Sequence, residues 1–271
     1  MAVSLRRRFP PISYDADAKA LFTRMDAAGA PTTAARKVLI NDMIVGMKAD
    51  GDWAELDFLQ VYAAHAEAAA LLNWVKNDHN GTAVNAPTFT ADSGYTFDGS
   101  TDYINTDYIP LADAVNVGQN DYKAGFYSLG IVGTPADLDV PFGANDTSRT
   151  VLQLQAQPTQ TRFLWYPNNS AGAEIYNDGV GQFTGNKLYT MGRNGASSTL
   201  LYVDGTLVDT GSVSSGALPN YSLAVGGRNK DGTVDRYYAF EGALSYAGSS
   251  TINVTNLLAR INTFLTAVGA I

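Results

Sequence analysis

Near the start of the chain, apolar residues recur at every third or fourth position, a pattern that predicts amphipathic helices. The first helix has Leu21, Phe22 and Met25 on one stripe and ends at Gly29, before a proline. A second helix follows and ends at Gly51. The apolar positions of this second helix are Leu39, Ile40, Met43, Ile44 and Met47.

Two further segments before residue 81 also favour helix. Asp52 stands three residues before Glu55, an arrangement typical of a capping box, and the helix that it would open presents Trp53. The run AEAAALLNW has a strong helix propensity. Residues 13–80 are therefore predicted to form a helical segment.

From Gly81 the pattern changes to short runs in which apolar and polar residues alternate, such as GYTFDGSTDYINT, TVLQLQAQ and LLYVDGTLVD. Many short runs at roughly ten-residue spacing, separated by turn signals, predict an all-β sandwich or jelly roll over residues 81–250. Within it, Asp204-Gly205 predicts the tight turn of a β-hairpin, because both central residues of such a turn need positive φ.

Helical periodicity returns at the end of the chain, and residues 251–271 are predicted to form a helix capped by Asn253. Its apolar positions are Val254, Leu257, Leu258, Ile261, Phe264, Leu265 and Val268. Such a broad apolar face must be buried on the sandwich, on the front helices or on another subunit.

Composition excludes several kinds of chemistry. The chain has 271 residues, no cysteine and two histidines, so disulfides, thiolate metal sites and a cysteine nucleophile are excluded. A Ser-His-Asp triad would have to use His65 or His79, and the nucleophile-elbow sequence Gly-x-Ser-x-Gly does not occur.

The charge pattern and the hydropathy of the chain limit its partners. A formal net charge of −8 argues against a nucleic-acid partner. The short basic run Arg6-Arg7-Arg8, followed by two prolines, predicts an extended arm over residues 1–12. No apolar stretch is long enough for membrane insertion, and the N-terminus lacks the apolar core of a secretory signal.

Several ordered motifs resemble concanavalin A-like jelly rolls of the laminin-G-like kind. KLYTMGRNG, STLLYVDGTLVDTG, NYSLAVGGRNKDG and YYAFEGALSYAG are similar to the C-terminal strands of that group, and GYTFDGSTDYINT is similar to its opening strand. The resemblance covers about residues 86–250. It implies a mainly β, concanavalin A-like (laminin-G-like) jelly-roll sandwich, here with an N-terminal helical segment and a C-terminal helix.

The front of the chain resembles a helical lead-in of tailed-bacteriophage and prophage-encoded virion proteins, through RMDAAG, INDMIVGMKADGDWAELDFLQVYAA, LLNW and PTFTADSGYTFDG. The resemblance implies a head-fibre, decoration or tail-associated protein that docks on other virion proteins and presents its jelly roll outward. We expect a homo-oligomer or a chain docked on a multimeric base, located on the virion surface after assembly in the host cytoplasm. Host-surface polysaccharide is the candidate ligand.

Glycoside hydrolases of this fold often carry a Glu-x-Asp-x-x-Glu strand that supplies the nucleophile and the acid. The nearest match has Glu55 and Asp57 but Gln60 in the last place, and it falls on a predicted helix. In the β part, neither Glu174 nor Glu241 has a carboxylate two residues away on the same strand face. A non-enzymatic function is therefore favoured and no catalytic residue is assigned, with a glycan-depolymerising enzyme as the alternative.

A glycan site needs an aromatic face together with polar groups for the sugar hydroxyls, and two predicted bends carry both. The first bend contains Trp165, Tyr166, Asn168 and Asn169. The second bend contains Arg228, Asn229, Asp231, Asp235, Arg236 and Tyr237. In the competing interpretation, the tryptophan belongs to the core and the Asn and Asp residues are ordinary turn formers.

Calcium is the one cofactor that the resemblance suggests, because the laminin-G-like group often binds it through Asp side chains and backbone oxygens. Asp98 and Asp102, in the run DGSTD, are the candidate ligands, with Asn145 and Asp146 in another loop. The run lacks the spacing of a twelve-residue calcium loop, so an Asx-turn is the other interpretation.

Overall fold

The computed structural model describes residues 13–134, 136–146, 151–157, 162–169, 175–177 and 183–271. The predicted arm over residues 1–12 and Glu174 lie outside these residues. The described strands form two sheets that pack face to face, and helices lie on one side of the sandwich. We call the face of each sheet that is turned away from the other sheet its outer face.

The helices begin and end at residues that satisfy their free backbone groups. The bounds are α1 Ala16–Ala27, α2 Ala34–Asp50, α3 Glu67–Ala70, α4 Pro110–Asp113 and α5 Val254–Val268. Asp15, Thr33 and Asn253 accept N-cap hydrogen bonds at α1, α2 and α5, and Gly51 ends α2 in a left-handed conformation. Within the described part of the chain, no helix has the length and apolar character needed to cross a bilayer.

The strands are mostly short, as their alternating runs predicted. Their bounds are β1 Leu56–Val61, β2 Thr82–Val84, β3 Thr88–Thr90, β4 Gly94–Thr96, β5 Tyr103–Asn105, β6 Asp121–Ile131, β7 Phe142–Asn145, β8 Val151–Gln157, β9 Arg162–Asn169, β10 Ile175–Asn177, β11 Lys187–Gly195, β12 Ser198–Val203, β13 Thr206–Gly211, β14 Ala224–Val225, β15 Arg228–Lys230, β16 Thr233–Asp235 and β17 Phe240–Gly248. The first sheet has the order β13-β12-β11-β6-β17-β4-β3, with β1 also paired to β17. The second has the order β10-β9-β8-β7-β14-β5-β2, with β15 paired to β7 and to β16.

Aromatic side chains fill the space between the sheets. Phe126 of the first sheet lies 6.1 Å from Phe142 of the second, measured between ring centroids, and it also contacts Tyr189 and Phe240. Trp165 of the second sheet is fully buried in the same core. This core accounts for the period of two in the sequence, because every second residue of each strand points into it.

The C-terminal helix α5 packs on the outer face of the first sheet and on α2. Tyr127 in β6 donates a hydrogen bond of 3.0 Å to Asn262 of α5. Arg260 of α5 forms an ion pair of 2.7 Å with Asp50 at the end of α2. The apolar face of α5 is thus buried on its own chain, against two of the three partners that the sequence left open.

The prediction of a helix opening at Asp52 is wrong. Residues 53–55 form a single 3-10 turn, and the next six residues form β1, which pairs antiparallel with β17. Asp52 accepts a hydrogen bond from the backbone N–H of Asn253 and does not cap a helix. Long-range pairing has overridden the local capping signal, and the propensity of AEAAALLNW is likewise realised only in the four residues of α3.

The predicted hairpin at Asp204-Gly205 is confirmed. Both residues have positive φ, 53° and 76°, and they join β12 to β13. The turn also contacts α5, where the Thr255 hydroxyl donates a hydrogen bond of 2.9 Å to the Gly205 carbonyl. A Cβ atom at residue 205 would come within 3.2 Å of Leu258, so this contact needs glycine as well.

Asp57, considered above as part of a hydrolase motif, has a structural role in β1. Its carboxylate is 1% exposed and accepts a hydrogen bond of 2.8 Å from the Tyr108 hydroxyl. It also accepts the backbone N–H groups of Val115, Asn116 and Val117, at 3.1, 2.8 and 3.0 Å. The carboxylate therefore fastens the 115–117 loop to the first sheet.

We expect Asp57→Ala to lower the free energy of unfolding by about 3 kcal/mol or more, because it leaves several buried donors without an acceptor. The control, Tyr108→Phe, removes one hydroxyl and is expected to cost about 1 kcal/mol. Urea unfolding monitored by circular dichroism measures both. An Asp57→Ala cost no larger than that of the control would contradict this role.

Candidate functional site

The outer face of the second sheet carries polar side chains on β8 and β9. Register pairs Leu154 with Trp165, and both belong to the core between the sheets. Gln153, Gln155 and Tyr166 occupy the alternate positions and therefore lie on the outer face. The two glutamines are nevertheless only 2% and 1% exposed.

Arg236 lies against these glutamines. Its Nη1 donates a hydrogen bond of 3.1 Å to Oε1 of Gln155, and Nε2 of Gln153 donates to the same oxygen at 2.8 Å. Two donors converging on one oxygen fix the orientation of the Gln155 amide, since a flipped amide would face them with its own N–H groups. Nε2 of Gln155 and Oε1 of Gln153 are buried without a hydrogen-bond partner among the described residues.

A second arginine stands beside the first but has a matched anion. Arg228 in β15 is buried and donates two hydrogen bonds to Asp235, of 2.7 and 2.6 Å. This fork-to-carboxylate geometry neutralises the Arg228 charge. Burial lowers the pKa of Arg236, and the neighbouring charge of Arg228 lowers this pKa further.

Two half-buried tyrosines adjoin the arginines. The ring of Tyr237 lies 6.3 Å from that of Tyr103, with 45° between the ring planes. Tyr103 is on the outer face, because its neighbour Ile104 points into the core. Burial raises the pKa of Tyr237, and the nearby Tyr103, Asp235 and Asp98 raise it further. The tyrosines, the arginines and the loop at residue 98 thus form one continuous surface, which we call the tyrosine–arginine surface.

The loop at residues 98–102 is an Asx-turn. Asp98 accepts hydrogen bonds from the backbone and hydroxyl groups of Ser100 and Thr101. Burial acts to raise the pKa of Asp98, but these hydrogen bonds hold this pKa well below its usual range. In the described ranges, no three His, Asp or Glu side chains are grouped as metal ligands would be. Asp98 and Asp102 are thus both engaged in the turn, and within the described ranges the second loop, at residues 145–146, adds no cluster of ligands to them.

The residues of the first predicted bend lie on strand β9 instead. Trp165 is 0% exposed and cannot present its ring to a ligand, and Tyr166 is also buried. The side-chain Nδ2 of Asn168 donates hydrogen bonds to the carbonyls of Gln119 and Gly216, and so does not face a ligand. The side chain of Asn169 lies outside the described residues. The bend was wrongly predicted because Asn-Asn is also accommodated at the end of a strand.

The second predicted bend is a turn between β15 and β16, and only part of it reaches the surface. Asn229 is buried and donates to the backbone and hydroxyl oxygens of Ser222. Asp231 takes the left-handed turn position, with φ of 52°. Arg236 and Tyr237 are half-exposed on the tyrosine–arginine surface.

Tyr103, Gln153 and Gln155 are site residues that the sequence did not predict. The two glutamines belong to the run VLQLQAQ, in which a polar residue at every second position indicates only a face turned away from the core. Tyr103 likewise alternates with a core residue. No local signal distinguishes these residues, because Arg236, which brings the surface together, is 81 positions from Gln155 in the chain.

No protein-family model and no curated protein sequence matches the chain. Similar solved structures include domain 4 of AbnA, a GH43 extracellular arabinanase from Geobacillus stearothermophilus, in complex with arabinotriose (15% identity, 75% of this chain and 98% of that chain covered, TM-score 0.46). They also include Trypanosoma rangeli sialidase in complex with sialic acid (13% identity, 79% of this chain and 33% of that chain covered, TM-score 0.52). A third is the binding domain of botulinum neurotoxin serotype D (9% identity, 76% of this chain and 52% of that chain covered, TM-score 0.51).

The chain therefore spans about a third of the sialidase and about half of the toxin chain. At these identities the likeness concerns the fold, and the predicted mainly β jelly-roll sandwich with helical ends is confirmed.

We expect Asp102→Asn to change how stability depends on pH. Burial and the contact with Asp98 raise the pKa of Asp102 to about 6, so the folded protein holds a proton that the unfolded chain releases near pH 4. The stability from this proton is complete below about pH 4 and is lost as the pH rises through about 6.

The amide that this substitution introduces can still accept from the Asp98 backbone N–H, as the Asp102 carboxyl does at 2.8 Å. The variant should thus gain stability relative to the natural protein between about pH 4 and 6 and keep this advantage at higher pH. Urea unfolding at about pH 4 to 8 measures the difference, and a difference independent of pH would contradict the assignment.

Proposed function

We propose that this chain is a non-enzymatic structural component of a tailed-bacteriophage virion or a prophage-like particle, and that its jelly roll binds carbohydrate. The observation that carries the binding proposal is the half-buried pair of Tyr103 and Tyr237, which Arg236 directly precedes in the chain. A sugar has C–H groups on its faces and hydroxyls at its edge, so it binds where an aromatic surface and polar groups lie together.

The surroundings of Tyr237 support this proposal because they hold its ring before any ligand arrives. Its hydroxyl donates a hydrogen bond of 2.9 Å to the Val234 carbonyl. Gly227 lies beneath the ring, and a Cβ there would come within 3.3 Å of Tyr237 and 2.6 Å of Val234. A ring that is already fixed loses little conformational entropy on binding, which favours recognition by a small aromatic surface.

The order of the layers supports docking on a particle. Helices α2 and α5 lie beyond the first sheet, whereas the tyrosine–arginine surface lies on the outer face of the second. A chain held through its helices would therefore leave that surface free on the opposite side. The virion assignment itself rests on the likeness of the front segment to phage lead-ins.

The comparisons support carbohydrate binding in a coarse way, since a third of the trypanosomal sialidase, a protein complexed with sialic acid, is similar in fold to this chain. Shared folds host different functions, so the site has to support the proposed binding. We favour binding over cleavage because the described carboxylates near the surface, including Asp139, which accepts a backbone N–H, already have structural partners. Asp235 pairs with Arg228, and Asp98 and Asp102 form the Asx-turn.

The proposal is tested by measuring whether the purified chain binds to bacterial cells related to the strain that encodes it, and to polysaccharides extracted from those cells. Reducing ends are assayed in the same samples. We expect saturable binding without new reducing ends. Tyr237→Ala should weaken the binding about tenfold, equivalent to about 1.4 kcal/mol, because it removes the ring. Tyr237→Phe is the matched control and should retain binding, since the hydroxyl is turned to Val234.

New reducing ends would replace this proposal with a depolymerase, and an unchanged affinity of Tyr237→Ala would move the site elsewhere. Binding to no polysaccharide would leave only the structural role.

The virion role has its own test. We expect an antibody against the chain to label intact particles purified from the strain that encodes it, and to inhibit their adsorption to cells. Free, empty or broken particles are labelled in parallel, as the control for whether the antibody can reach the chain. Intact particles that contain none of the chain by mass spectrometry would refute the assignment.

A further inference from the structure

We propose that the bound carbohydrate is an acidic saccharide whose carboxylate pairs with Arg236, while Gln153 and Gln155 together bind a neighbouring hydroxyl. This inference rests on the proposed carbohydrate binding and names the class of sugar. Three separate features of the tyrosine–arginine surface carry it.

The first feature is a cation with no described carboxylate in ion-pair contact, although the nearby charges of Asp235 and Asp139 act to raise its pKa. Asp235 matches the charge of Arg228 with two hydrogen bonds. Among the described residues, Arg236 has only the neutral oxygen of Gln155 as a hydrogen-bond partner, and no described carboxylate forms an ion pair with it. A half-buried guanidinium offers a planar fork that fits a carboxylate with two parallel hydrogen bonds.

The second feature is the pair of amide atoms that have no partner within the described ranges. Nε2 of Gln155 is a donor and Oε1 of Gln153 is an acceptor, and both are buried beside Arg236. An unmade hydrogen bond of a buried polar atom is unfavourable, so a natural interior seldom leaves two together. A hydroxyl both donates and accepts, so it is the group that would satisfy the two atoms at once.

The third feature is the backbone of Arg236, which has a φ of 51°. The left-handed region is unfavourable for an ordinary L-residue, and Asn or Gly would occupy it more easily. An arginine at such a position is destabilising locally and needs another reason to be there. A role in binding an anion provides that reason.

The charge of the whole chain makes the inference testable. With a formal net charge of −8, the protein does not attract polyanions as a whole. Adsorption of an acidic polysaccharide would therefore have to come from a local site. Tyr237 follows Arg236 directly in the chain, so the tyrosine pair and the guanidinium belong to the same segment of the second sheet's outer face.

The test is affinity electrophoresis of the full chain in gels that contain polygalacturonate, alginate, hyaluronan or polysialic acid, each beside its carboxyl-reduced form. We expect at least one acidic polymer to retard the protein, with a dissociation constant at least about tenfold lower than that of its reduced form. Equal retardation by both forms, or retardation by neutral polymers alone, would overturn the inference and leave the proposed carbohydrate binding intact. Retardation by none of these polymers or the host polysaccharides would overturn both.

Three variants locate the effect. Arg236→Asn should abolish the preference for the acidic polymer with an unchanged or raised melting temperature, because Asn tolerates the left-handed conformation. Gln155→Glu should also abolish it, since the new carboxylate would pair with Arg236 in place of the ligand. Lys230→Gln is the matched control, because it removes an exposed positive charge from the nearby β15–β16 turn. Loss of the preference in this control, or its retention in Arg236→Asn, would refute the assignment to Arg236.

Discussion

The central strands of the first sheet, β1, β6, β11 and β17, are covered on both faces, and the rest of the structure depends on this constraint. The inner face of this sheet meets the second sheet through Phe126 and Phe142, and its outer face meets the helices through Tyr127 and Asn262. Strands buried on both sides cannot contact a ligand over their faces. The outer face of the second sheet carries polar side chains, and we place the proposed carbohydrate binding there.

This constraint also explains which expectations from sequence succeeded. Helices α1, α2 and α5 and the hairpin at Asp204-Gly205 are fixed by local signals, namely caps, apolar stripes and turn residues. Strand β1 is different, because burial on both faces removes the alternation that marks a strand. All six of its residues are buried, and its pairing partner β17 lies at the other end of the chain.

The candidate site was predictable only in part, for a related reason. Arg236 and Tyr237 stand in a turn-rich run that local rules mark as a surface. Trp165 satisfies the same rule of an aromatic residue next to asparagines, yet it fills the core. Gln153 and Gln155 become noteworthy only through their unpartnered atoms, a property of the packed structure that the sequence does not encode locally.

The pairing of β1 with β17 constrains how the protein is made. Glu55 and Ser249, which are joined by a hydrogen bond beside these strands, are 194 residues apart in the chain. Contacts of such high sequence separation slow folding, because loop closure must precede them. During synthesis β1 has no partner until nearly the whole chain has been made, so its apolar residues stay exposed meanwhile. The sandwich therefore closes late, and chains truncated before β17 are expected to aggregate rather than to fold.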